Sequence, residues 1–508
     1  MLKNIGSNWT LSALQILIFM VLSPFVVNTL GTEANGIWVV LVSLTNYLGL
    51  LILGVPMASV RHIAEHVANA DTGRMNRVIS TCLGMYLAMG LGALIVGSGL
   101  LWLFEHSYLA SASWSHLDAA TRAEAPLAFA IIVAQICCGF AFRLPYGIFD
   151  AHQDFVTKNL VIAGGLVLRL VLILWWLSVQ ASLVYLASAI FTVMTVEFLA
   201  ALCVLRRRHP AVRFALAGFD RKLLRPILSF SIFAMVLNVG AKLAFQSDAL
   251  VIGWFLAPAD ATFFDIGNKI FDPLTTLVLG IGMVVMPLAT TLRVKQREGE
   301  LGEIFLKWSK VAWSMILPVA LFLLVLGPEF LRGWFGDAYD PLSGKVLQVL
   351  MGSFLLFLPV RGVALPILMG IDQPARPALA LLAMGALNLV LSLALVRPLG
   401  LVGVALGTAI PNAFFAATVL VLACRALNIP VTNYLRHVVG RSLIGLVPPL
   451  FLVLACKHLW GVEHIYATLA SGLAMTILYA AIWLLFVYRD DPHVDLMARL
   501  RRRAGGHK

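Results

Sequence analysis

Eight charged side chains fall inside long apolar runs of this 508-residue chain: Arg169, Lys242, Lys269 and Arg361, against Glu197, Asp248, Asp265 and Asp272. A charge at the centre of a bilayer costs about 2.5–3.5 kcal/mol by insertion scales, so each marks a ligand site, an ion path or a buried pair. Four positive and four negative charges cancel, so counting them does not describe a uniformly cationic interior. Spacing separates them. Asp265, Lys269 and Asp272 stand at i, i+4 and i+7, one stripe on a helical face, where Lys269 is either satisfied by carboxylates above and below it or turned to a ligand. Asp248 lies near the outer end of its run and is expected to be wet. Lys242, six residues earlier, lies on another face and either snorkels outward or binds. Glu197 is either an ion-pair partner for Arg169 or a coupling carboxylate. Arg169 follows Gly164 and Gly165 in LVIAGGLVLRLVLILWW, and small residues allow neighbouring helices to approach closely. Arg361 stands between Pro359 and Pro366, where a kink is expected to turn it away from lipid. A guanidinium presents a planar fork of donors that suits phosphate-type oxygens, so Arg169 and Arg361 are the better candidates for anion binding.

The pattern points to binding rather than bond-making. The chain carries no phosphate-cradling loop, metal-ligand cluster or nucleophile beside a base, and the outer acids Glu105, Asp118 and Asp340 are scattered rather than paired. No enzyme and no cofactor are expected. Six cysteines lie in or beside apolar segments without ligand spacing and read as small buried hydrophobes.

The elements that position these groups follow from composition. Of all residues 60% are hydrophobic and 12% charged, with a mean hydropathy of +0.92. A soluble domain is nearer one quarter charged. Apolar runs of 17–25 residues, each able to cross ~30 Å of hydrocarbon, predict an all-α membrane protein of about fourteen spans: 8–30, 36–60, 78–104, 126–147, 160–179, 183–204, 227–251, 261–289, 311–327, 347–370, 378–396, 401–423, 442–456 and 466–488. The first run is too long for the core of a cleavable signal peptide.

The net charge of +12 invites a nucleic-acid reading, but its distribution favours a membrane. With the N-terminus placed inside, the alternating inner segments hold 28 Lys and Arg and the outer ones five. That asymmetry predicts both termini in the cytoplasm of a bacterial inner (plasma) membrane. The basic linker 205–226 divides a six-helix lobe (1–204) from a second (227–423), a parallel pseudo-repeat, followed by two additional spans (424–488) and a basic tail (489–508). The stretches 208–225 and 492–503 are expected to lie on the anionic inner leaflet. Polar residues such as Gln15, Asn46, Gln135, Asn238 and Asn388 either line a cavity or bridge helices.

The first 75 residues carry a more specific pattern. Gln15, the Pro24-Phe25 pair, the outer turn Leu30, Gly31, Gly36, Ile37, Trp38, then Tyr47, Gly54, Ala58, Arg61 and Ala64 resemble the opening of Wzx-like polysaccharide flippases. These form a branch of the multidrug/oligosaccharidyl-lipid/polysaccharide exporter superfamily. Beyond residue 75 the likeness is one of span count and loop rhythm. The resemblance implies two six-helix lobes around a cavity that opens alternately to each side. It also implies a polyprenyl-pyrophosphate-linked oligosaccharide as substrate, and two C-terminal helices forming a groove for its lipid tail. Arg169, Arg361, Lys242 and Lys269 then become candidates for the pyrophosphate and glycan, with Arg61 and Arg143 at the inner mouth either receiving substrate or serving as ordinary anchors. Expected partners are membrane lipids and the polymerase and glycosyltransferases of the same pathway, with no nucleic acid. The rival readings are a cation-coupled multidrug antiporter on the same scaffold and a membrane-integral glycan polymerase or ligase.

Overall fold

A computed structural model describes residues 2–52, 54–224, 231–459, 464–489 and 491. The tail segment 492–503 assigned above to the inner leaflet lies outside them. Helices joined by turns and short loops make up these residues, and twelve stretches are long and apolar enough to cross a membrane. The absence of strands follows from the solvent: in hydrocarbon every backbone N–H and C=O must be paired within its own segment, which helices achieve. The six cysteines are free thiols, with Cys82, Cys424 and Cys456 buried as small hydrophobes. Cys203, expected to be buried, is exposed at the helix surface.

The chain forms two compact units, Met1–Lys242 with Ala249–Thr262, and Leu243–Asp248 with Phe263–Lys508. The first contains α1 (Leu2–Leu30), α2 (Thr32–Asn46), α3 (Val55–Ala68), α4 (Thr72–Leu103), α5 (Ala119–Phe142), α6 (Leu144–Ala151), α7 (Phe155–Val179) and α8 (Leu183–Arg208). Helix α1 packs on α7, α7 on α8, α8 on α5 and α5 on α4. Ile18, Leu22, Ile173, Leu177, Leu186 and Ala189 form one buried cluster of this unit. Lipid tails are as apolar as these side chains, so close van der Waals contact rather than escape from water holds such helices together. Gly90 of α4 shows the device: a Cβ there would stand 2.8 Å from the Cys137 carbonyl oxygen of α5.

Helix α9 (Ser231–Phe255) contributes residues to both units. It carries Lys242, Gln246 and Asp248 along its length and is not among the twelve apolar stretches. Its last turns belong to the first unit, where the Trp114 indole donates to the Gly253 carbonyl at 2.8 Å and the Tyr108 hydroxyl to that of Leu250 at 3.3 Å.

The second unit contains most of α10 (Pro258–Asn268), then α11 (Phe271–Val294), α12 (Glu298–Phe335), α13 (Pro341–Pro359), α14 (Leu365–Gly370) and α15 (Ala375–Ala426). Two features bear on function. The segment 360–364 between α13 and α14 is a π-helical turn, at the place where Pro359 and Pro366 predict a kink. Helix α15 is two arms joined at Gly400, whose φ of 57° and ψ of −137° suit glycine alone. The arms fold back so that Asn388 donates to Thr408 at 2.8 Å. Finally α16 (Val431–Tyr434), α17 (Arg441–Gly445), α18 (Val447–Leu459) and α19 (Ile465–Ile482) close the chain. The pair α18 and α19 packs on α12 through Leu326, Val453, Cys456 and Met475. Lys457 clamps the contact, donating to Glu329 at 2.9 Å and to the Val325 carbonyl at 2.7 Å.

Candidate functional site

Each unit holds its own set of intramembrane charges. In the first, Arg169 projects from α7 with an exposed side chain. Glu197 of α8 is within electrostatic range, but the two make no contact ion pair, and Arg169 makes no hydrogen bond among the described residues. The Glu197 carboxylate instead lies against the backbone of Gly165, in the space a Cβ would take. The Tyr146 hydroxyl of α6 faces it without reaching regular hydrogen-bond geometry, and has no other partner. Tyr146 carries no signal in the sequence, being one polar group in a short helix of mostly apolar residues.

Arg143 is exposed at the junction of α5 and α6. It stands near Lys242, which is half-buried and meets this like charge rather than a carboxylate. Arg61 is exposed on α3. Two cations in mutual range with no acid between them form a place that favours an anion.

In the second unit Arg361 sits in the π-helical turn, half-buried. Its guanidinium lies over the Phe245 ring at 5.3 Å and the Phe357 ring at 5.4 Å. No carboxylate or hydrogen-bond acceptor meets it among the described residues. The rings attract the cation through their negative faces, about 0.5–2 kcal/mol each, while leaving its edge donors unfilled.

The acids differ from expectation in two respects. Asp248, expected to be wet, is 5% exposed. It accepts hydrogen bonds from Thr408 at 2.6 Å and Ser392 at 3.3 Å, and Asn388 joins the network through Thr408 and through Ser247 at 2.8 Å. Its neighbours arrive on α15, 144 and 160 positions along the chain, so spacing within its own helix gives no hint of burial. The stripe of Asp265, Lys269 and Asp272 is also interrupted. Lys269 lies at the break between α10 and α11 and pairs with Asp265 only, while Asp272 is exposed. Pro273 accounts for the break, since it lacks an N–H and its ring crowds the carbonyl four residues earlier.

Two of the three outer acids cap helices. Asp118 accepts from the Thr121 N–H at 2.9 Å at the start of α5, and Asp340 from the Leu342 N–H at 2.7 Å at the start of α13. The hydrogen bonds with Thr121 hold the Asp118 carboxyl below the usual carboxylate range. No group of three or more His, Cys, Asp or Glu suited to a metal occurs among the described residues.

Residues 1–293 match the family described as Polysaccharide biosynthesis protein. The chain belongs to that family. Along its length this family member is similar to the uncharacterized membrane protein EpsK of Bacillus subtilis, 22% identical over 99% of this chain and 98% of that protein. It is 21% identical to a Shigella flexneri protein named as an O-antigen transporter, over 65% of this chain and 75% of that one. Two of the solved structures that share the fold are a flippase and a transporter. One is the lipid II flippase MurJ in an inward closed conformation, with TM-score 0.72 and 14% identity over 96% of this chain and 99% of MurJ. The other is an inward-facing multidrug resistance MATE family transporter of the MOP superfamily, with TM-score 0.65 and 18% identity over 82% of this chain and 98% of that one. This family member is thus a multi-pass membrane protein, helical among its described residues, whose fold is shared with the flippase and the transporter just named.

Proposed function

We propose that this protein flips a polyprenyl-pyrophosphate-linked oligosaccharide, a surface polysaccharide repeat unit, from the cytoplasmic to the outer leaflet by alternating access. The observation that carries this reading is that Arg169 and Arg361, in stretches apolar enough to cross a membrane, and Lys242 of α9 have no carboxylate in contact. A protein that only needed to tolerate such cations would pair them. Left unpaired, they suit a ligand that brings its own negative charge and a sugar, and a pyrophosphate provides both acceptor oxygens and charge. Arg169 is a headgroup contact of the first unit and Arg361 one of the second, and Arg143 with Lys242 and the exposed Arg61 receives the headgroup at the cytoplasmic side. Lys269, held by Asp265, is the weakest of the six candidates. Asp248 is the coupling carboxylate, caged by neutral hydroxyl donors, so that its own oxygens take up a proton or a small cation. The family, the O-antigen transporter name of a relative and the flippase name of a structural neighbour support the reading.

The chain crosses the bacterial inner membrane fourteen times on this reading, with α9 as a span and α15 as two, and both termini cytoplasmic. Its partners are membrane lipids and the pathway's glycosyltransferases and polymerase. The MATE-like fold and the buried Asp248 favour a second reading, a cation-coupled small-molecule antiporter. One experiment separates them: Arg169→Ala and Arg361→Ala, each checked for membrane insertion, scored for surface polysaccharide and for drug susceptibility. Loss of polysaccharide with unchanged susceptibility supports the flippase. Normal polysaccharide in both variants overturns it.

A further inference from the structure

An intramembrane arginine that must bind a ligand faces two conflicting demands. Alone, its charge opposes insertion into hydrocarbon. In a contact ion pair, its donors are filled and the ligand must first break the pair. The first unit resolves this at Arg169. Gly165 lies four residues before Arg169, one turn away on the same face of α7. The Glu197 carboxylate from α8 rests on Gly165, at a position that any side chain at 165 would take from it. Tyr146 faces the same carboxylate from α6. From α5, Phe142 stacks on Phe198 at 4.0 Å, and the Met194 sulfur lies 3.5 Å from where a Cβ on Gly139 would stand. Those contacts fix α8 on either side of Glu197 and bring no charge. Arg169 and Tyr146 are therefore the titratable groups that Glu197 meets.

We infer that Glu197 is a positioning residue for Arg169, seated on Gly165 and faced by Tyr146, so that it balances the guanidinium's charge while leaving its donors open to an anionic headgroup. The inference rests on the headgroup reading of Arg169 and adds the device that keeps that arginine available. Its consequence is that changes around Glu197 move anion affinity in opposite directions. Removing the carboxylate's charge removes its competition with the incoming anion. Unseating the carboxylate lets it swing to Arg169 and fill the donors.

The test uses the full chain in lipid nanodiscs with inorganic pyrophosphate as probe. Glu197→Gln is expected to bind pyrophosphate roughly fivefold or more tightly than the wild type, and Gly165→Ala more weakly. Tyr146→Phe, which removes one hydroxyl and no bulk, is expected to weaken binding as well and covers the case in which Gly165→Ala fails to fold. A merely structural role moves all three variants the same way. That result, or an unchanged affinity in Glu197→Gln, overturns the inference while Arg169→Ala still loses binding. Full binding in Arg169→Ala instead overturns the headgroup reading, and this inference falls with it.

Discussion

Asp248 accepts a 2.6 Å hydrogen bond from the Thr408 hydroxyl in the interior of the second unit, and no cation stands beside it among the described residues. Burying a carboxylate among neutral donors carries a penalty of several kcal/mol even after relaxation. Asp248→Asn keeps the shape and discards the charge. We expect the thermal midpoint of the purified protein to hold or rise while glycan export falls at least tenfold. A fall in midpoint with export intact removes Asp248 from the coupling role.

Arg361 depends on the two rings that hold it. Phe357 is fully buried, so its truncation opens a void at about 3–5 kcal/mol and confounds any reading of transport. Phe245 is partly exposed and offers the cleaner test. Phe245→Leu keeps an apolar side chain and removes the π face, worth about 0.5–2 kcal/mol. Export is expected to fall several-fold at unchanged protein level. Arg361→Lys keeps the charge without the planar fork and should restore export only in part relative to Arg361→Ala.

The C-terminal helices are tied to α12 by a buried charge pair. Lys310 and Asp491 are each about 1% exposed on their side chains and form an ion pair, with the Val487 carbonyl accepting from Lys310 at 3.2 Å. Breaking one partner leaves an uncompensated charge, at about 3–5 kcal/mol. Asp491→Ala should lower the thermal midpoint sharply, and Lys310→Met in the same chain should recover part of the loss. A double variant no better than the single would show that the pair is not the source.

A pH effect is expected where the turn after α6 meets the end of α8. Burial and the neighbouring His152 push His209 below the ordinary histidine value. Burial acts to raise the Asp154 carboxyl, but the Thr157 hydrogen bond and Arg208, the latter at 3.1 Å, hold it low. Both groups bind protons more weakly folded than unfolded. Their stability contribution is therefore present at neutral pH and is lost as pH falls, for His209 from about 6.5 downward and for Asp154 below about 4. Hydrogen exchange over 151–155 and 208–213, corrected for its intrinsic pH dependence, should accelerate between pH 7 and 5. A constant corrected rate argues against it.

The helical, many-spanned plan was legible because length and hydropathy act locally: each run is apolar by itself. So was the distortion at Arg361, which two prolines announce, and the close approach at Gly165. Contacts between distant residues were not. The positive-inside pattern counts Lys310 as one more cytoplasmic anchor, since that rule weighs sidedness and ignores partners, yet the side chain is buried against Asp491. Pro273 was visible, but its effect on the 265–272 stripe depends on where α11 begins, which a helical wheel assumes rather than finds. Tyr146 is an ordinary residue in its segment and gains meaning only when α6 and α8 meet.

The reversal at Gly400 sets more than the path of the chain. A continuous rod of 52 residues would run about 78 Å, more than twice the hydrocarbon thickness. Instead the two arms return alongside each other, and their alignment decides which side chains face Asp248: Ser392 comes from one arm and Thr408 from the other. Slipping one arm by a single residue would rotate it by about 100° and carry its hydroxyl away. The carboxylate's surroundings are thus calibrated by a backbone conformation roughly 12 Å along the arm. Insertions or deletions at the hairpin tip, however remote from any ligand, should act on coupling as mutations of the cage itself.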